Sequence, residues 1–180
     1  MALWKRLARF LGREAPLTHI EIGNTAPGFS LQSLEGKEYS LDTLLSKGPV
    51  IAAFFKISCP VCQFTFPYLQ RLFERYGGDG ISFLGISQDD AHSTKAFNKE
   101  YGITIPTLLD GEGYPASNAY GLTSVPTIFL IAPGGTVKVS SMGFNKDDLE
   151  RIAAELAHYQ KLPAAPLFRP EEVVPAYKPG

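Results

Sequence analysis

The chain has 180 residues, 44% of them hydrophobic, which suits one domain with a full core and short attachments. Its 17 basic and 18 acidic side chains leave a formal charge of -1, without the basic excess of a dedicated nucleic-acid binder. Two cysteines exclude a secreted disulfide framework and a four-thiolate zinc site within one chain, and no apolar run reaches the ~20 residues of a bilayer span.

In chain order, the first segment is "MALWKRLARFLGREAP". It places Leu3, Trp4, Leu7, Phe10 and Leu11 at helical spacing, opposite a basic face. An amphipathic helix is expected, packed on the domain or in peripheral contact with a membrane or partner. Lys5, Arg6, Arg9 and Arg13 interrupt the apolar stretch that a secretory signal needs, so a cytoplasmic location is expected. Residues 1–22 form this helix and arm, 23–162 the main domain, and 163–180 a Pro-rich tail.

Within the domain, "FSL" (29–31) and "EYSL" (38–41) flank a turn and predict a hairpin. "LDTLLSKG" follows as one or two helical turns. "VIAAFF" (50–55) is a continuous apolar run, the mark of a strand buried on both faces. From Pro60 to Tyr76 the positions of Phe64, Leu69, Leu72 and Phe73 suit a helix. "ISFLGIS" (81–87) is a second buried strand, and 89–102 a capped helix ending at Gly102. "TLLD" (107–110) reads as a short strand and "YPASNAYG" (114–121) as a short helix. "TIFLIA" (127–132) and "TVKVSSM" (136–142) form strands about a Gly-Gly turn. A last helix, from Lys146 to Gln160, carries Asp147 and Asp148 near its start, where the helix dipole favours them. This order indicates α/β architecture, a central mixed β-sheet flanked by helices. The prolines at 163, 166, 170, 175 and 179 prevent the tail from continuing the helix, leaving it draped or unattached.

Both cysteines lie in "ISCPVCQF", Cys59 and Cys62, at a strand-to-helix turn. The spacing alone suits half a metal site, a redox pair or one reactive thiol. The turn narrows this. The first N–H groups of a helix lack intrahelical partners and carry partial positive charge, which stabilises a thiolate. Pro60 opens the helix without wasting a donor. Cys62 lies one turn on, so the pair can close a disulfide and support thiol–disulfide exchange.

The chain resembles the thioredoxin superfamily, in the branch of thiol–disulfide oxidoreductases similar to TlpA and ResA, within the peroxiredoxin-related AhpC/TSA redoxins. CPVC at the turn, Pro67 five residues after Cys62, and "YGLTSVPTIFLIAPGG" carry the resemblance over about 23–160. It implies a thioredoxin-like fold with an N-terminal hairpin and an inserted βα element. It also implies Cys59 as nucleophile, Cys62 as resolving thiol, and Pro126 as a cis-proline preceding an edge-directed strand. Val125, Pro126 and Pro60 would border the substrate, Val125 through its backbone. The implied partners are a protein or small-molecule disulfide and a thiol donor, with no cofactor and no metal. Departures are Ser58 where many relatives carry an aromatic residue, Ala53 where thioredoxins bury an aspartate, and Thr65 where some ResA-like proteins use a glutamate. Lys56 is left as an electrostatic helper.

The stretch 83–110 and "APGFSL" also resemble peroxiredoxins of the bacterioferritin-comigratory type. Their PxxxTxxC pattern would make Cys62 the peroxidatic thiol, with Cys59 at the threonine position, Phe55 at the proline position and Val125 near that of the arginine. Two further classes are a copper-handling redoxin, which needs a histidine from among His19, His92 and His158, and a pure interaction module.

Overall fold

The computed structural model describes residues 18–180. The amphipathic stretch expected over 1–16 therefore lies outside the described residues. Among these, no helix is long and apolar enough to cross a membrane.

The fold is organised by β3 (Val50–Phe55), whose six residues are all buried. Alternate side chains feed two cores. Ile51, Ala53 and Phe55 face the cluster built on α2 (Pro60–Tyr76) and α5 (Lys146–Tyr159), while Val50, Ala52 and Phe54 face the opposite cluster. β3 pairs in parallel with β4 (Ser82–Ser87) and antiparallel with β6 (Thr127–Ile131). β5 (Thr107–Leu109) and β7 (Val137–Met142) complete a mixed sheet in the order β5-β4-β3-β6-β7. The parallel crossovers are α2 and then α3 (Ala91–Tyr101). Helix α3 begins on Asp90, whose carboxylate accepts the Ser93 N–H, and ends on Gly102 in the left-handed region at φ 65.

The hairpin is β1 (Ser30–Gln32) with β2 (Glu38–Ser40), leading into the short helix α1 (Leu41–Leu45). It leans on the β5 edge, where the Leu34 N–H donates to the Thr107 carbonyl at 3.0 Å. Helix α4 (Pro115–Ala119) is tied by buried Asp110, which accepts the N–H groups of Ala116 and Ser117 at 2.9 and 2.8 Å. One expectation fails here. β6 is interior, not edge-directed: its five residues are all buried, and β7, alternating buried and open, forms the edge instead.

The residues after Leu162 follow the surface of α2 and α5. Leu167 and Phe168 enter the first core, 2% and 6% exposed, with Phe168 5.0 Å from Tyr68 between ring centroids. Glu150 accepts the Leu167 N–H at 3.1 Å. Arg71 makes a forked pair with Glu172, at 2.9 and 2.5 Å. Two-residue strands then pair antiparallel, β8 (Phe144–Asn145) with β9 (Tyr177–Lys178). The sequence carries no periodic signal for such short strands.

The Arg71 guanidinium, followed by the Arg169 N–H, holds the Glu172 carboxyl down at about 2. A depressed carboxylate contributes above its unfolded pKa of about 4.3 and stops contributing as pH falls through the folded value. The Arg169 amide, bonded to Glu172 at 2.9 Å, should stay protected from hydrogen exchange down to about pH 3 and lose protection towards pH 2. Glu172→Gln should abolish that dependence.

Candidate active site

The β3 strand ends at Phe55, and the chain turns through Lys56, Ile57 and Ser58 to deliver Cys59 at the start of α2. Cys59 is the N-cap, in extended conformation at φ -84 and ψ 114, with Pro60 exposed at the first helical position. Its sulfur stands where a capping oxygen ordinarily does. The Cys62 N–H donates to the Cys59 Sγ at 3.2 Å. The Cys59 thiol in turn donates to the Val125 carbonyl at 3.3 Å. These bonds tie the turn to the loop before β6, and the bond between Val125 and Pro126 in that loop is cis.

The two thiols are free and differ sharply in exposure. Cys59 is half-buried, and Cys62 is fully buried beneath it. Burial, foremost, pushes the Cys62 thiol well up, and its hydrogen bond with Cys59 adds to the effect. Cys62 is therefore held as a thiol, and its reach is limited to Cys59.

Helix α2 continues through Pro67 without breaking. The residues at the expected carboxylate positions are inert: Ala53 packs in the core, and the Thr65 hydroxyl donates to the Val61 carbonyl at 2.6 Å. A carboxylate whose charge does reach Cys62 is that of Asp89, which sequence reasoning missed. Parallel pairing sets Phe55 opposite Ser87, so two residues further on Ile57 and Asp89 are neighbours. Asp89 accepts the Ile57 N–H at 2.8 Å, and its negative charge further raises the Cys62 thiol. The signal was present in "SQDD": an acidic residue just past a buried strand that runs parallel to the cysteine-bearing one.

Lys56, the expected electrostatic helper, points its ammonium at the Tyr114 ring, 5.6 Å from the centroid. The histidines are spread over separate elements. His19 bonds the Ser140 hydroxyl at 2.8 Å, His92 is exposed at the start of α3, and His158 is exposed in the last turn of α5. Among the described residues no group of three or more His, Cys, Asp or Glu side chains could hold a metal ion.

The family model described as the AhpC/TSA family matches residues 22–140. The chain belongs to the AhpC/TSA family. A family relative, the thiol-disulfide oxidoreductase ResA of Geobacillus thermodenitrificans, is 32% identical over 136 residues, covering 74% of this chain and 77% of its own length. Among solved structures, a putative thiol:disulfide interchange protein DsbE from Chlorobium tepidum superposes with a TM-score of 0.68 at 23% identity, over 77% of this chain and 97% of that one. Peroxidoxin BcpB from Mycobacterium tuberculosis superposes at 0.65 and 23% identity, over 78% and 98%. At these identities the two structures speak for the fold, which is thioredoxin-like as expected. That one fold accommodates both names leaves the chemistry to the side chains around the sulfurs.

Removing the charge at Asp89 should lower the Cys62 pKa. In a Cys59→Ser background, Asp89→Asn should lower the pH at which Cys62 ionises, followed by the ultraviolet absorbance of the thiolate. An unchanged or raised midpoint contradicts the electrostatic role.

Proposed function

We infer that this chain is a thiol–disulfide oxidoreductase, a redox enzyme in which Cys59 attacks and Cys62 resolves. The observation that carries this reading is the asymmetry of the pair. One sulfur is accessible at a helix start, facing a backbone N–H; the other is buried and protonated, one turn behind it. The kinship with ResA supports it.

The Cys59 thiolate attacks one sulfur of a substrate disulfide and expels the other as a thiolate, forming a mixed disulfide. Cys62 loses its proton, attacks the Cys59 sulfur, and expels the second substrate sulfur. Two electrons and two protons pass from the dithiol to the substrate, and the enzyme is left oxidised. A thiol donor restores it by the reverse sequence. Ionisation of Cys59 keeps the Cys62 N–H bond, because an anion is the better acceptor. It ends the bond to Val125, because a thiolate has no proton to donate. The Val125 carbonyl is then available to a substrate N–H, with Pro126 and Pro60 flanking the approach.

The peroxiredoxin reading assigns the reactive role to Cys62. Burial argues against it, since a peroxide would have to reach a sulfur that Cys59 covers. Neither sulfur has a guanidinium among its partners within the described residues, and Val125 offers only backbone where that family places arginine. Such a site lacks the oriented positive charge that peroxide cleavage draws on.

With dithiothreitol as donor and a disulfide-bonded peptide as substrate, Cys59→Ser should lose at least about 100-fold in turnover. Cys62→Ser should accumulate the peptide as a mixed disulfide on Cys59, visible as a mass adduct that reductant removes. If Cys59→Ser retained wild-type turnover while Cys62→Ser alone lost it, the roles would be reversed.

A further inference from the structure

The site is not open along its whole length. The segment 177–180 runs on from the stretch packed along α2 and α5 and comes up against the loop that carries Val125. Gly180 is so close to this loop that a Cβ on it would stand 2.5 Å from the Val125 carbonyl oxygen and 3.3 Å from the Ser124 hydroxyl. The same carbonyl accepts the Cys59 thiol. The end of this segment and the exposed sulfur thus meet at one backbone atom.

Its path is shaped by a second glycine. Gly143 lies at φ 71, and its N–H donates to the Pro126 carbonyl at 2.8 Å. A side chain there would collide with the Lys178 carbonyl. The missing Cβ lets β9 pass flat over the cis-proline loop and pair with β8. On the other flank the Lys178 ammonium sits 4.6 Å from the centroid of Phe64, in the second turn of α2.

We propose that 177–180 is a built-in strap over the substrate edge of this site, which an incoming polypeptide must displace before it can pair with Val125. The inference rests on the reading that this edge receives substrate. Attachment is unequal along the tail. Leu167 and Phe168 in the core and the Arg71–Glu172 fork hold the upstream part firmly. The strap itself is held by a two-residue ladder, by the Lys146 N–H bond to the Ala176 carbonyl at its base and by one half-buried cation–π contact, the kind of element that opens locally long before the core does. An extended substrate competes with it for the same backbone, so its apparent affinity is reduced by the fraction of time the strap is off. A small reagent that needs only the sulfur does not bear that cost. The strap selects against weakly pairing polypeptides while leaving Cys59 chemically reactive.

The test compares two alkylating reagents on the full chain carrying Cys62→Ser, so that Cys59 alone reacts. One is iodoacetamide and the other an iodoacetylated extended peptide. Gly180→Val drives a side chain into the Val125 carbonyl, and Lys178→Ala removes the cation from Phe64; neither touches the core. Circular dichroism and thermal midpoints confirm that the variants fold. With both substitutions, labelling by the peptide reagent should rise about three- to tenfold, and labelling by iodoacetamide should change less than about twofold. Equal peptide-labelling rates with and without the substitutions overturn the strap, as does a parallel rise with both reagents, which indicates general loosening. Alkylation needs no disulfide exchange, so the result stands whether or not the same proteins, with Cys62 restored, reduce a peptide disulfide; that separate assay decides the oxidoreductase reading.

Discussion

The hydrogen bond from the Cys62 N–H to the Cys59 sulfur is the contact on which the rest of this site depends. A helix start leaves N–H groups without partners, and most proteins offer them a serine, threonine or aspartate oxygen. Here a sulfur takes that place. The helix is therefore completed by the atom that the proposed mechanism uses as nucleophile, and the geometry that satisfies the backbone leaves that sulfur half-exposed. The buried β3 strand makes this possible. Packed on both faces, it fixes where the turn begins, and its pairing with β6 brings the Val125 carbonyl to the same sulfur from the other side.

The division of labour between the thiols follows from depth alone. They are three positions apart, yet one borders solvent and the other has none. Desolvation penalises the charged form of Cys62 and favours the thiol, which suits the resolving role proposed for it. No dedicated carboxylate within α2 or on β3 assists. The carboxylate of Asp89 accepts the Ile57 N–H, so it tightens the turn as well as opposing ionisation of Cys62.

What could be read from the sequence is what is local. "VIAAFF" announces a strand buried on both faces, CPVC marks its junction with a helix, and "SVPTIFLI" carries the cis-proline segment through its family resemblance. The readings that fell short concern contacts between distant residues. Whether β6 lies at an edge depends on what pairs beyond it, and β7 only covers it once the chain has turned back. Asp89 acquires meaning from the register of two parallel strands 32 residues apart in the chain. The five prolines after Leu162 correctly rule out a helix, but composition says nothing of where Leu167 and Phe168 pack. Those two apolar residues between prolines find a ready cleft beside Tyr68 and Phe144.

The complete burial of Cys62 also bears on damage. Oxidants meet a protein thiol from solvent, and over-oxidation to sulfinic or sulfonic acid is irreversible or nearly so. Here every such encounter falls on Cys59. A sulfenic acid formed there has a thiol directly beneath it, ready to condense with loss of water before a second oxidant arrives. The product is an ordinary disulfide, which a thiol donor of lower reduction potential returns to the dithiol. On the proposed mechanism the shielded sulfur would then serve twice, as the resolving thiol and as the group that returns an oxidised Cys59 to the disulfide level.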